Sequence, residues 1–311
     1  MSKRLFALCL FLIGFTRFYN LDSSATFFWD PAYDLVKIHQ YFIERKLTLV
    51  GPIAENNTNV FSSLTYYLLM PFAALGNFDP LSTAVGAAFY GYLTAIFLLL
   101  LIRKINQKLL LPVVALIAIF YPLVEISRWA WNPNLVPFWM ALGVLLCQYR
   151  KSPCFYLAGL AFGLSLHQHF LAFFAMGIFV FLISIQETRQ KNFRLPFFLF
   201  LGLLTAVLPF IIFDFRHPPG LFLTRALYFS PLASVSSFPL QNLLGGLMGN
   251  TIALLFYYTH SNFLVFLLGI FLILLTVHDF KRKSSALIYL IPWLFQILAL
   301  TILRMSYMHY Y

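Results

Sequence analysis

The sequence predicts an all-α fold: a polytopic membrane helix bundle of about nine transmembrane helices, with a long first outer loop carrying interfacial helices. Three observations predict it. The chain is 61% hydrophobic and 10% charged, whereas a soluble domain averages about 25% charged residues. Apolar runs recur along its whole length, close to the roughly 20 residues that cross hydrocarbon as a helix. The runs are continuous rather than alternating, so helices, not barrel strands, satisfy the backbone in lipid.

Taken in order, spans are expected near 5–20, 82–102, 109–127, 134–149, 154–168, 169–186, 195–213, 262–278 and 285–303. The N-terminal MSKRLFALCLFLIGF begins like a signal peptide, but no small-residue cleavage site follows it, so it reads as a first span that stays attached. The segment 64–76, LTYYLLMPFAALG, is apolar but short for a crossing. It reads as an interfacial helix inside an outer loop over 21–80. The apolar run 154–186 has basic flanks on both sides, Arg150 and Lys151 before it and Arg189 and Lys191 after it. An even number of crossings is required, hence two short paired helices meeting near His167-Gln168-His169. A second outer loop is expected over 214–260.

The net charge of +11 is confined to short connections. Lys3, Arg4, Arg103, Lys104, Lys108, Arg150, Lys151, Arg189, Lys191, Arg194, Lys281, Arg282 and Lys283 fall on one side, against Glu187 and Asp279. Basic short loops mark the cytoplasmic face. The N-terminus is therefore expected inside and residue 311 outside. This distribution argues against a nucleic-acid partner and for the lipid bilayer. Cys9, Cys147 and Cys154 lie in or beside spans without metal-ligand spacing, so no disulfide framework is expected.

The expected outer face then collects ionisable groups from five segments: Asp30 and Asp34, Glu125 and Arg128, His167 and His169, Asp214 with Arg216 and His217, and Arg304 with His309. Ionisable groups near lipid are costly and mark function. Carboxylates facing Arg and His suit an anionic, lipid-held substrate. Glu125, His167 and His169, with Tyr66 and Tyr67 of LTYY, are the candidate pocket residues. Plainer readings stand beside this one. Asp30 before Pro31 resembles a helix cap, with Asp34 complementing the helix dipole in the first turn. Arg17, Arg128, Arg216 and Arg304 can reach headgroups as lipid anchors. The histidines can serve as helix-end hydrogen-bonding groups, and as zinc ligands they have no third partner at convincing spacing. Trp29, Trp129 and Trp131 read as interface anchors.

The segments FFWDPAYD, GPIAENNTNVFSSLTYYLLMPF, SRWAWNPNLVPF, GLAFGLSLHQHF, FDFRHPPGLFLTRAL and MHYY, in that order, resemble the GT-C superfamily of integral-membrane glycosyltransferases. The chain is most similar to bacterial family-39-type proteins, relatives of protein O-mannosyltransferases and of the lipid A aminoarabinose transferase. The resemblance implies a seven-helix module over 1–213, with the outer loop 21–80. It also implies that 214–311 holds an outer loop and the start of a C-terminal variable module that continues past Tyr311. It implies transfer of a sugar from a polyprenyl-phosphate donor to a glycan, lipid or protein acceptor, outside the plasma (inner) membrane and with inversion. Asp30 stands where the family has its catalytic base. Many members have Asp-Glu where this chain has Asp-Pro, and Asp34 is the nearest replacement for the missing carboxylate. A divalent metal is compatible with the family, but no ligand set for one is present in the sequence.

The chemistry implied is simple. The acceptor hydroxyl loses its proton to Asp30 as it attacks the anomeric carbon. Arg216, supported by His217, Arg304, His309 or Arg128, stabilises the departing phosphate by charge-assisted hydrogen bonds. Three other classes stand beside this reading. A transporter or flippase of lipid-linked solutes needs charges at mid-span, and here they sit at one end. An O-antigen polymerase or ligase has its large outer loop late in the chain. A degenerate, scaffolding family member is compatible with the Asp-Pro departure.

Overall fold

The computed structural model describes residues 3–53, 60–107, 110–119, 121–170, 172–222 and 287–302. The fold is mostly helical. It divides into two compact units, Met1–Phe170 with Phe197–Arg225, and Leu171–Pro196 with Ala226–Tyr311. The expected spans at 262–278 and the segment after Ile302, including Arg304 and His309, lie outside the described residues.

In the first unit, α1 (Lys3–Phe18) is followed by a short α2 (Leu21–Ser24) and by α3 (Trp29–Glu44). Cys9, Ile13 and Arg17, each four residues on, form the buried edge of α1. Cys9 and Ile13 pack with Ala95, Leu99, Val114 and Ile117. Among the described residues the all-α expectation meets an exception: an antiparallel pair, β1 (Val50–Ile53) and β2 (Val60–Ser62), with Val50 opposite Ser62 and Ile53 opposite Val60. Pro52 removes a ladder donor, and the register shifts across that stretch, as expected of Pro inside a strand.

Next come α4 (Leu64–Leu75) and α5 (Pro80–Ile105). Asp79 caps α5, its carboxylate accepting from the Leu81 N–H at 2.8 Å, with Pro80 in the first turn. Over the stretch expected as one helix, 109–127, the described residues form α6 (Leu110–Ile119) and α7 (Tyr121–Ile126), with Phe120 outside the described residues. A 3-10 turn at Asn132–Leu135 leads into α8 (Val136–Cys147), then α9 (Ser152–Gln168). The unit is completed by the greater part of α11 (Arg194–Arg216).

Helices α9 and α11 approach closely because glycine lines the crossing. A Cβ at Gly159 would strike the Leu199 carbonyl, and one at Gly202 the Tyr156 carbonyl. Gly163, one turn past Gly159, faces Ala206 and Leu203. Small residues spaced by four are how helices in lipid gain packing without a hydrophobic drive.

In the second unit, α10 (Ala172–Arg189) packs on α12 (Leu287–Ile302). The Gln296 side-chain oxygen accepts from the Ala175 N–H at 2.9 Å, and the Phe179 and Tyr289 rings lie 6.1 Å apart. Glu187, expected in a connecting loop, lies in the last turn of α10 and is buried. Helices α5, α10 and α11 are long and apolar enough to cross a membrane, while α1, α4 and the segment Asn132–Cys147 are apolar but shorter.

Substituting Gly159 by Val should force α9 from α11 and cost about 1–3 kcal/mol, the usual range for overpacking. A thermal-unfolding midpoint in detergent well below wild type is the expected readout, and an unchanged midpoint would contradict the close crossing.

Candidate functional site

The site begins in the chain leading to α3. Thr26 forms a parallel backbone bridge with Trp129. The Phe28 ring lies 5.0 Å from Trp129, which stacks on Trp131 at 4.5 Å with planes 7° apart. Trp129 is buried, so it is a core support rather than the interface anchor expected of it. This aromatic pile fixes where α3 starts. Phe28, in extended backbone, is the residue before the first turn, and no side chain caps it. Asp30 is therefore not the cap its Asp-Pro sequence suggests. It lies inside the first turn, half-buried, where the helix dipole favours a negative charge.

Asp34 lies one turn further on, rather than in the first turn, and is buried with Leu35 and Ile38 in the face that packs on α4. The Tyr66 hydroxyl donates to its Oδ1 at 2.9 Å. Among the described residues its Oδ2 is buried and has no hydrogen-bond partner. Burial, reinforced by the Asp30 charge and partly opposed by the Tyr66 hydrogen bond, pushes the Asp34 carboxyl up to about 7. Tyr66 is itself pushed far above its ordinary value by burial and by Asp34, so it remains a donor. Two carboxyls on one helix thus differ in surroundings: Asp34 is buried and its pKa is raised, while Asp30 is half-buried.

The other candidates serve the frame. Tyr67 places its hydroxyl between the N–H and carbonyl of Thr48, both at 2.7 Å, and pins the segment before β1. Arg128 donates to the Thr16 carbonyl at 2.6 Å, the Tyr19 carbonyl at 3.1 Å and the Ser24 hydroxyl at 2.7 Å. It closes the C-terminal end of α1, where a cation complements the dipole. Arg17 is buried rather than reaching for headgroups, and donates to the Ile117 carbonyl at 2.7 Å and the Thr16 hydroxyl at 2.8 Å. Glu125 is half-buried, and its carbonyl accepts from the Arg128 N–H.

His167 uses both ring nitrogens. Nε2 is 2.8 Å from the Ala206 carbonyl and Nδ1 is 2.9 Å from the Ser62 hydroxyl. A carbonyl only accepts, so Nε2 holds the hydrogen and Nδ1 accepts from Ser62. Gln168 accepts from the Thr65 hydroxyl at 2.5 Å, and its backbone carbonyl accepts from Asn132 at 2.6 Å. The His169 ring stacks on Phe61 at 5.0 Å. The His-Gln-His stretch thus ties α9 to β2, α4, α11 and the Asn132 turn. Ser62, Thr65, Asn132 and Gln168 complete this junction. A sequence reading fixed on ionisable groups passes over neutral residues such as Ser62, Thr65 and Asn132. Among the described residues, no group of three His, Cys, Asp or Glu side chains is placed to hold a metal.

Asp214 accepts from the Leu221 and Phe222 N–H groups at 2.8 and 2.9 Å and closes the turn after α11. His217 donates from Nδ1 to the Phe213 carbonyl at 3.0 Å and stacks on that ring. Arg216 is exposed at the end of α11. The structure therefore places Asp30, Asp34 and Tyr66 near one another, while the bonds from Leu221 and Phe222 to Asp214 and from His217 to Phe213 are local in sequence.

No known protein family, curated protein or solved structure matches this chain.

Two outcomes are expected. Arg128→Ala should lower stability by about 2 kcal/mol, the loss of charged hydrogen bonds to the α1 terminus, read as a lower unfolding midpoint. The folded chain holds an Asp34 proton that the unfolded chain, near the ordinary 3.8, releases. Stability from this group is present at low pH and lost as pH rises toward about 7. The unfolding midpoint of wild type relative to Asp34→Asn should fall across that window and level off above it. A difference independent of pH would show that the carboxyl holds no such proton.

Proposed function

We propose that this chain is a multi-pass membrane glycosyltransferase of the GT-C type. It moves a sugar from a polyprenyl-phosphate donor to an acceptor outside the cytoplasm, with Asp30 as general base. The reading includes about nine spans, a cytoplasmic N-terminus and residence in the plasma (inner) membrane. The single observation that supports it most is the Asp30–Asp34 pair: two carboxyls one helical turn apart in the first segment after an apolar helix, distinguished by burial.

In this mechanism the acceptor oxygen attacks the anomeric carbon while Asp30 takes its proton. The bond from that carbon to the phosphate oxygen breaks, and the phosphate leaves with the electron pair. Asp34, holding its own proton and fixed by Tyr66, keeps a second negative charge away from Asp30. Inversion follows from a single displacement. The departing charge is assigned to Arg216 and His217, together with Arg304 and His309, while Arg128 is already engaged at the end of α1. Glu125, His169 and the Phe28–Trp129–Trp131 pile would shape the surroundings.

The test uses membranes carrying the full chain and radiolabelled polyprenyl-phosphate sugars. Wild type should release label from the lipid. Asp30→Ala should insert normally yet transfer about 10²–10⁴-fold more slowly, the usual contribution of a general base. Turnover by Asp30→Ala at the wild-type rate would remove Asp30 from the mechanism, and movement of intact donor across the bilayer without bond cleavage would replace the transferase reading with a flippase.

A further inference from the structure

Among the described residues, α3 is packed on one side. Pro31, Asp34, Leu35 and Ile38 form its buried edge. Leu35 and Ile38 pack with Tyr66, Leu69 and Ala73 of α4, with Ala87 of α5 and with Ala130. The opposite side is uncovered, with Trp29, Val36 and Ile43 at 81%, 65% and 64% exposure. Helix α4, expected to be the interfacial helix, instead buries Thr65, Tyr66, Leu69 and Ala73 between its neighbours α3 and α5, and it forms the wall on which α3 rests. The chain is pinned on either side of α3. Before it, Thr26 is bridged to Trp129. After it, the Tyr67 hydroxyl holds both backbone groups of Thr48. Between these pins the helix is flanked by Phe28, in extended backbone, and by Arg45, in the left-handed region with φ 51°. Such element-terminal residues are where hinges absorb backbone change.

The packed side holds a carboxyl with too few partners to be an anion. Asp34 is 3% exposed. Its Oδ1 accepts from the Tyr66 hydroxyl at 2.9 Å, and among the described residues its Oδ2 has no hydrogen-bond partner. An ionised carboxylate presents about four acceptor sites, and leaving most of them unmet in an enclosed place is costly. The neighbouring groups do not offset that cost. Asp30, one turn earlier on α3, acts on Asp34 as a like charge. Tyr66 of α4 is kept neutral by burial. On α3 itself, Lys37 is turned to the Tyr33 ring at 5.5 Å and to the Gln40 side-chain oxygen at 3.3 Å. His39 stacks on Phe78 at 4.3 Å, and the Tyr41 ring lies 6.0 Å from that of Tyr66. The buried residues of α5 near this packing, such as Ser82, Thr83 and Ala87, are not titratable, and its Tyr90 donates to the Leu68 carbonyl at 3.3 Å. Arg128, two residues from Ala130, is bonded to the end of α1.

We propose that the Asp34 proton latches α3 onto α4. With the proton in place the helix stays seated. Once the proton passes to solvent, α3 swings away from α4 about Phe28 and Arg45, admits water to Oδ2 and carries Asp30 with it. The motion exposes Leu35 and Ile38 in exchange for hydrating one carboxylate, so it is a local opening rather than unfolding. Linkage gives its direction. The seated carboxyl is pushed up to about 7 by burial, while one open to water titrates near the ordinary 3.8. Preference for the seated form is therefore full below 3.8, falls by about tenfold per pH unit between the two values, and is level above about 7. Between pH 5 and pH 8 the loss is roughly a hundredfold. The latch is a property of the α3–α4 packing and stands whether or not the chain transfers a sugar.

The full chain in nanodiscs tests it, with Cys9, Cys147 and Cys154 replaced by Ala and a pair of spin labels introduced by Val36→Cys on α3 and Leu75→Cys at the end of α4. Both positions are exposed, so the labels leave the packing intact. Pulsed electron–electron distance measurements should show one population at pH 5 and an additional, longer one at pH 8. Asp34→Asn keeps an oxygen for the Tyr66 hydroxyl but has no proton to lose, and it should show the pH 5 distribution at both values. The same distribution at both pH values in the protein that retains Asp34 would overturn the latch. A longer population at pH 8 that survives Asp34→Asn would overturn it as well, and would assign the movement to another titrating group such as His39.

Discussion

The hydrogen bond from Tyr66 to the buried carboxyl of Asp34 is the constraint on which the candidate site depends. A carboxyl as buried as that of Asp34 cannot remain charged cheaply. It keeps a proton instead, and a phenol donating to it fixes its position. That arrangement locks α3 on α4 at one rotational setting. With the rotation fixed and the start of α3 held by Phe28 on Trp129, the direction of Asp30 is set as well. The chemistry assigned to Asp30 therefore relies on a residue one turn away that never needs to touch a substrate.

Around this pair, polar contacts from side chains to backbone carbonyls join the helices. Arg128 ends α1, Arg17 joins α1 to the last carbonyls of α6, and His167 joins α9 to β2 and α11. Each gives a backbone carbonyl a donor from another element. The glycine-lined crossing of α9 and α11 brings Ala206 within reach of His167, so close packing and hydrogen bonding are two parts of one junction.

The sequence contains the dipeptide Asp-Pro at 30–31 and again at 79–80. At 79 it does what helix chemistry predicts, and Asp79 caps α5. At 30 it does not, because the bridge between Thr26 and Trp129 starts the helix one residue before Asp30. Local propensity was the same, and a contact about a hundred residues away in sequence decided the outcome. Trp129 shows the same limit. Interface tryptophans and buried ones look alike in a sequence, and only the stack with Trp131 and Phe28 distinguishes them.

By itself, the sequence determined the helical class, most helix positions to within a few residues, and the grouping of Asp30 and Asp34, because hydrophobic runs and one-turn spacing are local properties. It overlooked the pairing of Val50–Ile53 with Val60–Ser62, which needs two segments to meet. Only tertiary structure decided which carboxyl is buried, that Tyr66 donates to it, that His167 is fully used, and which face of α3 is left uncovered. Burial and hydrogen-bond partnership arise between elements distant in sequence, and no pattern within one segment can specify them.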